Sequence, residues 1–239
     1  MKSGRPTESV ARIASMNASN DTPRHDPTRK RLLQAALEIF ADKGFRDATV
    51  REICARAEVN VASVNYHFGS KEALYSEVLG FAYREASERY PYTKAGDKSL
   101  PPEVRLRHFI GNLLGRMLDD TYLGRHGKLL ARELADPTPT GALDQVIETT
   151  MKPHCELLDG IVAELVGPGY SEADMHRLGL SVVGQCLMYY HSRSLIDRVY
   201  PEIIATPEDI ERTAEHIARF SIAALKHLHL EQPAPDRAG

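Results

Sequence analysis

Apolar positions recur along the chain at three- and four-residue spacings, and no stretch shows the two-residue alternation of a half-buried strand. The first stripe starts near Thr28 and runs through Leu32, Leu33, Ala36, Leu37, Ile39 and Phe40. Gly44, just after Lys43, is placed to end that helix, because glycine enters the left-handed region without a Cβ penalty. Thr49, followed three residues later by Glu52, has the form of a capping box and predicts a second short helix through Ile53 and Ala57. A break at Glu58-Val59-Asn60-Val61 supplies Asn60 as a cap for a third short helix through Ser63, Val64 and His67. Gly69-Ser70 ends it, and Ser70 caps a fourth helix with the stripe Leu74, Val78, Leu79, Phe81 and Ala82. Two short helices joined by a tight spacer have the form of a helix-turn-helix, whose second helix is narrow enough for a DNA major groove about 12 Å wide. A purely structural helical hairpin fits the same pattern.

The rest of the chain reads as further helices. A Pro-, Gly- and Lys-containing linker, PYTKAGDKSLPPE, precedes a stripe of Val104, Leu106, Phe109, Ile110, Leu113, Leu114 and Met117. A segment from Tyr122 to Ala135 carries Leu129, Leu130 and Leu134, and DPTPTG at 136–141 breaks it. A long helix is expected from Ala142 to about Leu165, bent at Pro153, which lacks a backbone donor and crowds the preceding turn. Ser171 caps the next helix, to about Ser192, and the last runs from about Glu208 to Leu230. The fold class is therefore all-α. A helical head at 28–74 precedes a helical body at 75–232, between an N-terminal arm (1–27) expected to be disordered and a frayed tail (233–239).

Charge sharpens this division. The formal net charge of the 239 residues is −3, yet residues 1–71 hold 12 Lys/Arg against 8 Asp/Glu, whereas the remainder holds 18 against 25. A basic module on an acidic body can meet a polyanion with one end. Lys2, Arg5, Arg12 and Arg24 allow the arm to lie along phosphates or enter a minor groove; a solvated tail is the alternative. Cys54, Cys155 and Cys186 are too scattered for a disulfide framework or a zinc finger. No apolar run approaches the roughly 20 residues of a membrane span, and no export segment is seen, so a cytoplasmic location is expected. No HExxH, serine elbow or nucleotide loop occurs, so an enzyme is not expected and no cofactor is implied. His154-Cys155-Glu156 suggests metal, but adjacent helical residues diverge by about 100°.

Residues 28–79 resemble the DNA-binding domain of TetR-family transcriptional regulators. The resemblance rests on Ala36 and Phe40, Gly44-Phe45, Thr49-Val50, Ile53-Cys54-Ala55, Ala57, Val59, Tyr66-His67-Phe68 and Lys71-Glu72-Leu74 occurring in register. HGKLLARELADPT, Met151-Lys152-Pro153 and SVVGQCLMYYHSR look like the CerR/CecR-like subgroup with its YbiH-type C-terminal domain. Two positions depart from the family pattern: Glu58 stands where glycine is common, so a negative φ or a local accommodation is expected, and Asn65 stands where tyrosine is frequent.

The resemblance implies that 62–68 is the recognition helix. Val61, Ala62 and Ser63 would approach bases, Asn65 and Arg51 would contribute specificity, and Thr49, Tyr66, His67 and Lys71 would hold the backbone. Phe68 and Cys54 read as core. It also implies a homodimer on a palindromic operator, built from the last two long helices, with Gly179, Ser181 and Gly184 as close-approach positions and Leu187, Met188, Ile217, Phe220, Ile222, Ala224 and Leu228 as apolar surface. A small hydrophobic or amphipathic effector would sit among Phe109, Leu113, Met117, Leu130, Cys155, Leu158, Gln185, Met188 and Tyr189, with His126, Glu133, His154 and His191 as polar wall residues. Release of a repressor by that effector is the leading expectation. A metal-responsive regulator and a helical scaffold without DNA binding are the alternatives.

Overall fold

The computed structural model describes residues 26–118 and 124–230. The N-terminal arm up to His25 and the tail 233–239, for which disorder is expected, lie outside the described residues. All regular elements among the described residues are helical: α1 (Pro27–Asp47), α2 (Val50–Ala57), α3 (Ala62–Phe68), α4 (Lys71–Arg89), a short α5 (Thr93–Gly96), α6 (Pro102–Leu118), α7 (Gly124–Ala135), α8 (Ala142–Val146), a π-helical turn (Ile147–Met151), α9 (Lys152–Val166), α10 (Glu172–His191), α11 (Arg193–Val199) and α12 (Pro207–Leu230). They form two compact units. Residues up to 84 with 125–153 make one, and residues 85–124 with those from 154 onward make the other.

The first unit is built on the predicted stripes. Leu32, Leu37, Phe40, Ile53, Val64, Leu74 and Val78 are fully buried, and Cys54 fills a gap beside them. Each large side chain removed from water in this way contributes roughly 1.5–3 kcal/mol. The caps also form where expected. The Thr49 hydroxyl accepts from Glu52 N–H (3.2 Å) while a Glu52 carboxylate oxygen accepts from Thr49 N–H (3.1 Å). Asn60 Oδ1 accepts from Ala62 N–H (2.9 Å), and Ser70 Oγ accepts from Ala73 N–H (3.1 Å). Gly44 has φ +82°, although helical structure resumes after it to Asp47.

Of the negative φ and the local accommodation expected as alternatives at Glu58, the first does not occur: Glu58 takes a left-handed conformation, φ 56° and ψ 47°. The turn geometry imposes it. Glu58 N–H donates to Ala55 O (3.2 Å) and Val59 N–H to Cys54 O (3.0 Å), so the end of α2 closes back on itself. The side chain is exposed, so no burial cost adds to the backbone strain.

Helix α7 belongs to this first unit. It runs alongside α1 in the same direction, and its exposed edge matches charges residue by residue: Arg125 with Glu38 (2.6 Å), Lys128 with Asp42 (3.1 Å), and Asp136, just beyond the helix, with Arg46 (3.6 Å). Leu129 and Glu133 are buried under that edge.

In the second unit α6, α9, α10 and α12 enclose a core of Leu106, Ile110, Leu114, Ile161, Val162, Val182, Ile217 and Ala218, among others. One buried cation ties it together. The Arg105 guanidinium donates to Ala95 O (2.9 Å) and to both carboxylate oxygens of Glu164 (2.8 Å each). The long helix expected over 142–165 is continuous helical backbone from Ala142 to Val166, in which a π-helical turn at Ile147–Met151 separates α8 from α9. The π turn, in which Lys152 N–H donates to Ile147 O, falls just before Pro153, whose missing N–H would otherwise interrupt the α-helical ladder.

Replacing Glu58 with glycine removes a Cβ from a left-handed position. Glu58→Gly is expected to stabilise the protein by roughly 1 kcal/mol, the balance of relieved strain over added chain entropy. Denaturant melts of the two proteins measure this; an unchanged or lowered midpoint contradicts it.

Candidate nucleic-acid interface

Helix α3 has seven residues, and their burial alternates sharply. Val64 is fully buried against the head core, whereas Ala62, Asn65 and Tyr66 face outward, with Tyr66 85% exposed. Val61 precedes the helix and is also exposed, and Ser63 is half-buried. The outward set combines a methyl group, an amide able to bond N6 and N7 on the major-groove edge of an adenine, and a phenol that can reach a phosphate. Phe68 turns inward beneath the Arg29 guanidinium (5.1 Å to the ring centroid).

His67 is tied to the start of α1. Its Nε2 lies 3.5 Å from Asp26 Oδ2, and Asp26 Oδ1 accepts from Thr28 N–H (2.8 Å). The Thr28 amide, with a lesser contribution from His67, holds the Asp26 carboxyl below its ordinary value. The first turn of α1 is therefore held beside α3. Lys30 lies one turn beyond Asp26, on the same side of α1.

The cations of the head divide into two groups. Lys43 bonds Glu52, Arg56 pairs with Glu38 (2.6 Å), and Arg29 pairs with Glu77 (2.9 Å). Lys71 extends over the Phe45 ring (4.6 Å to the centroid), with Nζ 3.4 Å from Arg46 O. Lys30, Arg31 and Arg51 are exposed and make no side-chain hydrogen bond or ion pair among the described residues. Lys30 was not singled out by sequence reasoning. Its signal is only its distance of four residues from Asp26, and nothing in the pattern joins Asp26 to α3. Thr49 is exposed, but its hydroxyl donates to Glu52 (2.9 Å) as well as capping α2. The Lys43 ammonium first, then Thr49, lowers the Glu52 carboxyl, so an anion already occupies this helix end.

The residues expected to hold an effector are distributed over both units. Leu130 and Glu133 lie on α7 in the first unit, and the His126 side chain is outside the described residues. Glu133 is 1% exposed and accepts from the Tyr75 hydroxyl (2.7 Å) and from Thr138 N–H and Oγ1 (3.0 Å each). In the second unit Phe109 stacks on Tyr92 (4.8 Å), whose other contacts are the His154 ring (4.4 Å) and the Arg116 guanidinium (4.3 Å). Leu113, Met117 and Tyr189 pack partly buried on the core, and Leu158 is inside it. Gln185 donates to Ser221 Oγ (3.0 Å); Cys155, Met188 and His191 are exposed. Among the described residues no three His, Cys, Asp or Glu side chains converge as a metal-binding group.

A head with an outward helix held by a capped turn, followed by a separate helical body, defines a class: helix-turn-helix DNA-binding regulators. Residues 32–78 match the bacterial regulatory proteins of the tetR family, and residues 102–225 match the C-terminal domain of the HTH-type transcriptional dual regulator CecR. The chain belongs to the TetR family, and it is a DNA-binding transcriptional regulator. It is similar to the HTH-type transcriptional dual regulator CecR of Shigella flexneri, 29% identical over 184 residues that cover 73% of this chain and 80% of that one. It is also similar to the HTH-type transcriptional repressor Rv3405c of Mycobacterium tuberculosis, 32% identical over 130 residues, 54% of this chain and 56% of that one. The fold is shared with AibR in complex with isovaleryl coenzyme A and operator DNA, at a TM-score of 0.62 and 17% identity over 81% of this chain and 97% of that one. These named relatives are regulators rather than enzymes. No helix among the described residues is long and apolar enough to cross a membrane.

Burial holds the His154 imidazole down to about 4. Between pH 6.5 and about 4 the unfolded chain takes up a proton that the folded one refuses, so this group's contribution is full above 6.5 and is lost as pH falls through that window. His154→Phe is therefore expected to reduce the drop in Tm between pH 7 and pH 4.5. Parallel Tm curves for the two proteins over that range contradict the assignment.

Proposed function

We propose that this chain, as a homodimer, reads a palindromic operator through one α3 per protomer and represses by occluding polymerase until an organic effector releases it. The outward face of α3 carries this reading. A short helix that buries Val64 and leaves Asn65 and Tyr66 in water has exposed side chains suited to bases and phosphates. Val61, Ala62, Ser63, Asn65 and Arg51 read base edges, while Tyr66, His67 and Lys71 hold the backbone; Thr49, already bonded to the Glu52 carboxylate, is left to cap α2. The uncommitted Lys30 joins them, since a cation beside α3 with no internal partner can neutralise a phosphate without breaking an existing pair.

The dimer reading is supported by apolar side chains left in water on the last two long helices. On α10, Leu180 is 69% and Met188 54% exposed, with Gly184 midway between them on the same face; on α12, Phe220 is 62% exposed. A Cβ at Gly184 would meet nothing within 4 Å, so that position leaves room for a second helix. Ile217 and Ile222, by contrast, are consumed by the chain's own core. The effector is small and hydrophobic or amphipathic, and Phe109 and His154 around Tyr92, with Leu113, Met117 and Tyr189 nearby in sequence or on the same core, are its best-supported contacts. AibR, solved with an acyl coenzyme A and operator DNA, sets a precedent for such a ligand on this fold. The protein acts in the cytoplasm.

Selection of bound duplexes from a random pool tests the proposal directly, followed by release trials with small organic molecules. With the selected operator, Lys71→Ala and Lys30→Ala are each expected to weaken specific and random duplex alike and to lower the salt slope by about 1. Asn65→Ala is expected to leave the slope unchanged and alter base preference. Slopes equal to wild type for both lysine variants count against direct phosphate contact. Phe220→Glu is expected to convert the dimer to monomer in sedimentation and to weaken operator binding by at least about tenfold, since one half-site is lost; a variant that remains dimeric contradicts the assigned face.

A further inference from the structure

The match to the CecR C-terminal domain spans residues 102–225 and so takes in all of α7. In the structure α7 packs within the DNA-binding head. Its contribution there is centred on Glu133, a buried carboxylate engaged by three donors, one of them the Tyr75 hydroxyl. Burial and then the Glu133 carboxylate push the Tyr75 phenol well above its ordinary value, so it stays a donor. The Tyr75 ring meets Phe40 edge-on (4.9 Å, 87°) and Phe45 at 5.0 Å and 60°. The outer face of Phe45 carries the Lys71 ammonium, and the next carbonyl, Arg46 O, lies 3.4 Å from the same nitrogen.

Helix α7 braces this 44–46 segment a second time. A Cβ on Gly44 would come within 3.2 Å of Arg132 Nη1, so the guanidinium fills the space that the missing side chain leaves. The same nitrogen lies 3.5 Å from Ala41 O. The ring and the carbonyl that seat Lys71 are thus held from behind by Tyr75, Glu133 and Arg132.

We infer that Glu133 is a positioning residue for operator binding: through Tyr75 and Phe45 it sets the pose from which Lys71 meets the DNA backbone. This rests on the reading of Lys71 as a phosphate contact. It assigns Glu133 to the DNA-binding machinery. The side chain touches no DNA, and both its carboxylate oxygens are already occupied by internal donors.

The test is a set of mutant cycles on the full-length protein, read as affinity for the selected operator. Tyr75→Phe removes only the hydroxyl and keeps the ring packing, and Glu133→Ala removes the acceptor. Each is expected to weaken binding about fivefold in the Lys71 protein, within the range by which residues remote from a ligand modulate its binding. In the Lys71→Ala background each is expected to weaken it less than about twofold, because the group being positioned is gone. An equal loss in both backgrounds, or no loss in the Lys71 protein, overturns the inference and leaves Glu133 a structural residue of the head. Should Glu133→Ala fail to fold, Tyr75→Phe alone decides the outcome. If Lys71→Ala itself binds as tightly as wild type, the phosphate reading has failed, and the positioning role falls with it. That result is distinct from a Lys71 effect that persists without coupling.

Discussion

A seven-residue helix cannot hold itself in water. Isolated helices shorter than about 12–15 residues are marginal even with favourable composition. Helix α3 therefore owes its existence and its pose to what it buries. Val64 anchors its inner face, Phe68 closes its far end under Arg29, and the left-handed Glu58 sets the angle at which the chain arrives from α2. The exposed side chains of α3, Asn65 and Tyr66 above all, stand on a rod whose direction is decided by a few internal contacts. Loss of any of them would change the presentation of the outward face before it changed its chemistry.

The distribution of charge follows the same economy. Half of the basic side chains of the head are engaged in ion pairs: Lys43 to the cap of α2, Arg56 to α1, Arg29 to α4 and Arg46 to Asp136. Exposed pairs of this kind contribute little stability individually, about 0–1 kcal/mol. Their effect here is to sort the cations, since a lysine already satisfied by a carboxylate must exchange that partner for a phosphate. Lys30, Arg31 and Arg51 face no such exchange. Lys71 is intermediate, resting on a ring face and near a carbonyl, contacts that position a cation without neutralising it. The basic balance of the first 71 residues is thus a coarse measure, and the number of uncommitted cations is the finer one.

The second unit is organised around different contacts. Buried Arg105 joins the α5 carbonyl Ala95 O to Glu164 on α9, and the Tyr92 ring gathers Phe109, Arg116 and His154. Desolvation lowers both the Arg116 guanidinium and the His154 imidazole and pushes the Tyr92 phenol up to about 12.

Much of this architecture was legible in the amino-acid order. The stripes of α1, α2 and α4 appear as predicted, and so do the caps at Thr49, Asn60, Ser70 and Ser171, because periodicity and capping are interactions over three or four residues. The in-register motif from Ala36 to Leu74 was enough to place the family. Other features depended on distances that no local pattern encodes. Glu58 is left-handed because two backbone bonds close the end of α2, and glycine, the residue that would have announced this, is absent. Asp26 meets His67 across forty-one residues, Glu133 meets Tyr75 across fifty-eight, and the allegiance of α7 to the head follows from such contacts alone. The apolar residues of α10 and α12 likewise carry no mark in sequence dividing core from exposed surface. Sequence by itself determined most of the helices, several of their caps and the family; tertiary structure decided which faces are buried, which cations remain uncommitted and which helix supports the DNA-binding head, since those depend on residues brought together only by folding.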